Sequence, residues 1–156
     1  MHRLVFSATI RAPKDEVWRA LFADETYRQW TSVFAEGSYA DTDWKVGSKA
    51  LFLTPGGDGM VSRIAVHRPN EFLSIQHLGT VKGGVEDTGN DKGWAGALEN
   101  YTLQEEGDYS KLTVEMDTTE EYRTYMEETW PKALSKLTEI VEAKQRSEQE
   151  AVRQTA

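Results

Sequence analysis

The sequence predicts an α+β domain in which a curved antiparallel sheet of about six strands wraps around one long C-terminal helix, with two short helices after the first strand. Three observations carry this expectation. Leu4, Phe6, Ala8 and Ile10 alternate with Val5, Ser7 and Thr9, which is the period of a strand. Residues 33–118 keep strand character between repeated turn signals. Tyr122, Met126, Trp130, Ala133, Leu134, Leu137 and Val141 then recur at three- and four-residue steps, the period of an amphipathic helix. An antiparallel sheet with one apolar face has to cover that face, and the C-terminal helix is long enough to lie across it.

Each element has a local reason. Arg11-Ala12-Pro13 ends the first strand. Pro13 suits the first turn of a helix, where its missing N–H costs nothing. Asp15 and Glu16 favour the positive helix end, and Val17, Trp18 and Leu21 supply an apolar stripe. Asp24 is the expected N-cap of a second short helix carrying Tyr27 and Trp30. Strands are expected over 34–39 and 49–54, with Trp44 in a turn between them. Pro55-Gly56-Gly57-Asp58-Gly59 is the strongest turn signal and joins 49–54 to a strand over 60–66. Pro69-Asn70 turns the chain into a strand over 72–78. Residues 80–94 are rich in Gly and read as a long loop. Strands over 97–105 and 111–117 meet at Gly107-Asp108. The last helix is expected over 119–146, capped by Thr118 or Thr119, with Glu120 and Glu121 in its first turn. Pro131 predicts a kink or break near Thr129–Trp130. Residues 147–156 are expected as a frayed polar tail, which leaves 1–146 as a single domain.

Composition narrows the function classes. A chain of 156 residues supports one ordinary core. With 26 acidic against 18 basic residues the formal net charge is −8, which disfavours nucleic acid and anionic membrane surfaces as partners. The absence of Cys removes disulfides, thiol nucleophiles and zinc ribbons. No apolar run approaches the ~18 residues of a membrane span, so no membrane insertion is expected. Met1-His2-Arg3 leads straight into the first strand with no signal-peptide pattern, and a cytoplasmic location is expected. There is no Gly-x-Ser-x-Gly elbow, and Gly56-Gly57-Asp58-Gly59 lacks the Lys-Ser/Thr of a phosphate loop. His2, His67 and His77 have no metal-ligand spacing. No catalytic residue, metal or cofactor is therefore assigned.

Several local motifs resemble one family. They are Ile10-Arg11-Ala12-Pro13 with Val17-Trp18, residues 27–30, Phe34 with Glu36-Gly37-Ser38, and Trp44-Lys45-Val46-Gly47-Ser48. Asn70-Glu71-Phe72-Leu73-Ser74, Glu99-Asn100-Tyr101-Thr102-Leu103 and Trp130-Pro131-Lys132-Ala133-Leu134 complete the set. Together, over residues 3–143, they resemble the START-like (SRPBCC) superfamily, also called the helix-grip fold. Within it they resemble the branch homologous to the C-terminal domain of the heat-shock protein 90 ATPase activator. The resemblance implies the fold, a space between sheet and last helix, and roles that range from small-molecule carriage to chaperone assistance. It supplies no shared catalytic triad.

The candidate site follows from which faces point into that space. Leu73, Ile75 and His77 share one strand face, so His77 is a candidate for orienting a ligand or moving a proton. Glu99 and Tyr101 share a face with Leu103, opposite Leu98 and Asn100, and parity alone leaves open which set points inward. On the inward reading Glu99 is an anchor or general base and Tyr101 a donor. The helix stripe Tyr122, Met126, Trp130 and Leu134 combines adaptable Met with polar-tipped aromatics, which suits an apolar ligand. Phe52, Ile64, Ile75, Val114 and Met116 are the facing candidates, Trp30 and Phe34 mark one mouth, and Trp94 is a candidate lid. The leading expectation is a noncatalytic binding protein for a largely apolar small molecule. The alternatives are a protein-interaction or chaperone-assisting domain, and a cavity enzyme using His77 or Glu99 as acid/base. A protein partner or homodimer is compatible with each.

Overall fold

A computed structural model describes residues 1–89 and 94–155. Strand β1 (His2–Ile10) leads into helices α1 (Lys14–Phe22) and α2 (Asp24–Trp30) and a 3-10 turn at Thr31–Val33. Seven strands follow: β2 (Tyr39–Asp41), β3 (Lys49–Leu53), β4 (Gly59–Arg68), β5 (Phe72–Lys82), β6 (Val85–Asp87), β7 (Leu98–Glu106) and β8 (Tyr109–Thr118). Helix α3 (Glu120–Thr155) ends the chain. The eight strands form one antiparallel sheet in the order β1-β8-β7-β5-β4-β3-β2, with β6 paired to the end of β5.

Period two governs the sheet. Along β8, Ser110, Leu112, Val114, Met116 and Thr118 are buried while the residues between them are not. Helix α3 buries Trp130, Ala133, Leu134, Leu137 and Val141 against this face, packing on β1, α1 and α2. The expected α+β helix-grip architecture is therefore present.

Four local expectations are corrected. Residues 34–39 are not a strand. Gly37 sits at φ +80° and the Ser38 N–H and hydroxyl both donate to the Ala35 carbonyl, so a turn delays pairing until Tyr39. The stretch expected as a loop over 80–94 instead extends β5 and adds β6, because Gly83 and Gly84 both take positive φ and close a two-residue hairpin turn. Residues 90–93 of that stretch lie outside the described residues. Asp24 does not cap α2: it is the first helical residue, and its carboxylate accepts from Arg28 Nε at 3.0 Å. The Thr119 hydroxyl, one of two expected caps for α3, is buried with no partner among the described residues.

Helix α3 runs unbroken through Pro131, so the break, one of the two expected effects, does not occur. The N–H that Pro131 lacks would have bonded the carbonyl of Glu127, an exposed residue, so water can take its place. Residues 147–155, expected as a frayed tail, continue the helix. Their composition is dominated by good helix formers, and Lys144 reaches Glu148 one turn on at 3.8 Å.

Candidate functional site

A cavity of about 420 Å³ lies between the sheet and the N-terminal half of α3. Strands β3, β4, β5, β7 and β8 supply one wall, α2 and the 3-10 turn a second, and α3 the third. Its first two helical turns carry Tyr122 and Tyr125, which line the cavity while 42% and 41% exposed, so the space reaches solvent there. The Tyr125 hydroxyl donates to the Phe34 carbonyl at 2.5 Å and ties α3 to the end of the 3-10 turn. The walls are mostly apolar, and aromatic rings dominate them. Trp30 is fixed by its indole N–H, which donates to the Leu21 carbonyl at 3.1 Å. Trp130 lies between Trp30 and Phe34, with ring centroids at 6.0 and 5.0 Å.

One polar chain crosses this wall. Ser62 on β4 pairs in register with His77 on β5, and the serine oxygen lies 2.6 Å from His77 Nδ1. The other ring nitrogen, His77 Nε2, stands 3.3 Å from Glu99 Oε1 on β7. The second carboxylate oxygen accepts from the Tyr101 hydroxyl on the same strand face. Proton counting orders the chain. The carboxylate accepts from Tyr101 and from His77 Nε2–H, so with a neutral ring Nδ1 accepts from the Ser62 hydroxyl. A shift in register between Val61 and Ser62 places the serine there, as bulges re-aim side chains.

Electrostatics around Glu99 are one-sided. Burial, followed by the negative charge of Glu99, holds the phenols of Tyr27 and Tyr101 well above their ordinary pKa. Both remain neutral donors. Asp117 also lines the cavity. Burial pushes its pKa up, but the Arg3 hydrogen bond, the Leu98 N–H and the Arg3 charge outweigh that and hold it below the usual carboxylate range. Arg3 Nε donates to it at 3.0 Å.

The order Ser62–His77–Glu99 has the components of a nucleophilic triad, but Ser62 is fully buried and absent from the cavity wall. Its hydroxyl positions the imidazole. Among the described residues no three His, Asp or Glu side chains converge as a metal site would need.

Most of the sequence-expected lining comes together. Trp30, Phe34, Phe52, His77, Trp94, Glu99, Tyr101, Met116, Tyr122, Met126 and Trp130 all line the cavity. The parity of β7 is resolved, with Glu99, Tyr101 and Leu103 turned inward. Ile64, Ile75, Val114 and Leu134 are corrected: they lie in the buried core and do not line it. Ile64 and Ile75 pair with each other further along the sheet, and Leu134 lies a turn beyond Trp130, where the core is closed. The Trp94 ring packs beside Tyr122 at 5.6 Å. Tyr27, Tyr125 and Asp117 on the wall, and Ser62 behind it, were not anticipated. Tyr27 carried a usable signal, since it precedes Trp30 by three residues and so shares its helix face.

Comparison with known proteins places this geometry. The family model described as "Activator of Hsp90 ATPase homolog 1-like protein" matches residues 11–142. No curated protein matches the sequence. A crystal structure of a Mesorhizobium loti protein is similar at TM-score 0.73 and 17% identity, covering 91% of this chain and 98% of that one. The Aha1 dimer from Colwellia psychrerythraea, solved in solution, is similar at TM-score 0.68 and 18% identity, covering 90% and 96%. CalU16 from Micromonospora echinospora is similar at TM-score 0.62 and 23% identity, covering 89% and 73%. At these identities the structural likeness shows the fold alone.

Proposed function

The chain belongs to the activator of Hsp90 ATPase homolog 1-like family, and within that family we propose that it is a noncatalytic, cytoplasmic binding protein for a largely apolar small molecule. The observation that carries the proposal is the cavity of about 420 Å³, walled largely by aromatic rings and Met and crossed by the polar chain Ser62–His77–Glu99–Tyr101. Ligand sites commonly occupy ~300–1,000 Å³ and combine apolar walls with a few fixed polar groups. Each Å² of apolar ligand surface removed from water contributes roughly 25 cal/mol, while the polar chain sets orientation. The buried position of Ser62 supports a role without covalent chemistry.

Nile red, a neutral apolar dye, tests the proposal. Titration is expected to give a saturable, one-to-one, blue-shifted fluorescence signal that bound ligands displace. A signal no larger than that of a cavity-free protein contradicts it.

A second reading is favoured by the family's description and by the likeness to the Colwellia protein. On that reading an outer surface assists a chaperone, and the chain stimulates a heat-shock protein 90 ATPase independently of cavity occupancy. That relative was solved as a dimer, and a homodimer is a compatible arrangement for either reading.

A further inference from the structure

Charge and aromaticity in the cavity wall are unevenly distributed. Among the described lining residues there are two carboxylates and no Lys or Arg. Asp117 is already matched, because Arg3 holds it from outside the cavity at 3.0 Å. Among the described residues no Lys or Arg holds Glu99 in this way. Within ion-pair distance among the described residues it meets His77 Nε2 at 3.3 Å, an imidazole and not a fixed cation. Tyr101 likewise gives a hydrogen bond and no charge. With a neutral imidazole, the chain Ser62–His77–Glu99–Tyr101 carries one net negative charge into a space walled by rings.

Those rings include Tyr27, Trp30, Phe52, Tyr101 and Trp130. Ring faces carry negative quadrupole density and attract cations, most strongly when water is excluded. An anion entering here meets Glu99 and the ring faces with no Lys or Arg among the described wall residues to offset them. A neutral ligand gains burial and one hydrogen bond. A protonated amine gains burial, cation–π attraction and a charge-assisted bond to a carboxylate that has lone pairs left to accept it.

Resting on the binding role proposed above, we infer that the cavity selects amphiphilic organic cations: molecules with an apolar body and one protonated amine, the ammonium placed at Glu99 among the rings of Tyr27, Trp30 and Trp130. Glu99 fixes orientation and supplies charge selectivity, and the Met and aromatic walls take the body.

Three probes of nearly one shape test this: 1-naphthylmethylamine, 1-naphthalenemethanol and 1-naphthoic acid, titrated calorimetrically at pH 7 into the full chain. The amine is expected to bind at least about tenfold tighter than the alcohol, with the acid weakest. In Glu99→Gln the preference should be lost, the ratio of amine to alcohol affinity falling to about one. A single cooperative unfolding transition establishes that the variant is folded. An alcohol or acid that binds as tightly as the amine overturns the inference, as does a preference that survives Glu99→Gln. If Nile red binds and the amine preference is missing, charge selection alone fails. If neither Nile red nor any probe binds, the binding role itself fails with it.

Discussion

Met126→Trp should abolish uptake of Nile red while leaving the protein folded. Met126 is half-buried on the cavity side of α3, one turn before Trp130. A Met side chain there is thin and adjustable. An indole in its place occupies the space a ligand would use and packs against rings already present. The expected result is at least about a tenfold loss of affinity, equal to about 1.4 kcal/mol. The urea midpoint should be unchanged or slightly raised, because filling a void adds contacts. Undiminished binding in the folded variant would move the ligand away from this cavity.

The largest expected effect on stability is at Trp130. Its ring is 3% exposed and stacks near Phe6 at 6.0 Å, with Phe34 at 5.0 Å and Tyr101 at 6.2 Å on other sides. It joins β1, the 3-10 turn, β7 and α3 in one cluster. Truncating a buried Trp to Ala costs roughly 3–5 kcal/mol in lost transfer energy and cavity formation. Trp130→Ala should therefore lower the urea midpoint by that much stability at an unchanged slope. Trp130→Phe should cost far less. It keeps a ring in the cluster and removes an indole N–H that is buried without a partner among the described residues. Equal losses in the two variants would contradict the assignment of Trp130 as a packing centre.

The fold was legible because two periods are written plainly in the chain. β1 and β8 alternate cleanly, and α3 carries its stripe from Trp130 to Val141. What was missed has local causes. Gly83-Gly84 looks like loop material, yet two positive-φ residues in succession close a tight hairpin. Gly37 and Ser38 turn a segment that hydrophobicity alone reads as a strand. For the site, aromatic and Met positions on the right faces were readable, but depth was not. Nothing local distinguishes Ile64 and Ile75, sealed in the core, from Phe52 on the wall. Ser62 was invisible for a different reason: its contact with His77 depends on the register of β4 against β5 and on the shift beside Val61. Asp117 alternates with the inward Met116, so period two alone did not place it at the cavity.

The central claim is that the cavity holds one small molecule, and native mass spectrometry of the freshly purified protein, beside its denatured mass, tests it most directly. The account predicts a reproducible extra mass, lost on denaturation or gained from a lipid and metabolite extract, at one copy per chain and absent in Met126→Trp. The bare chain mass under every condition would contradict it and move the function to the protein's outer surface.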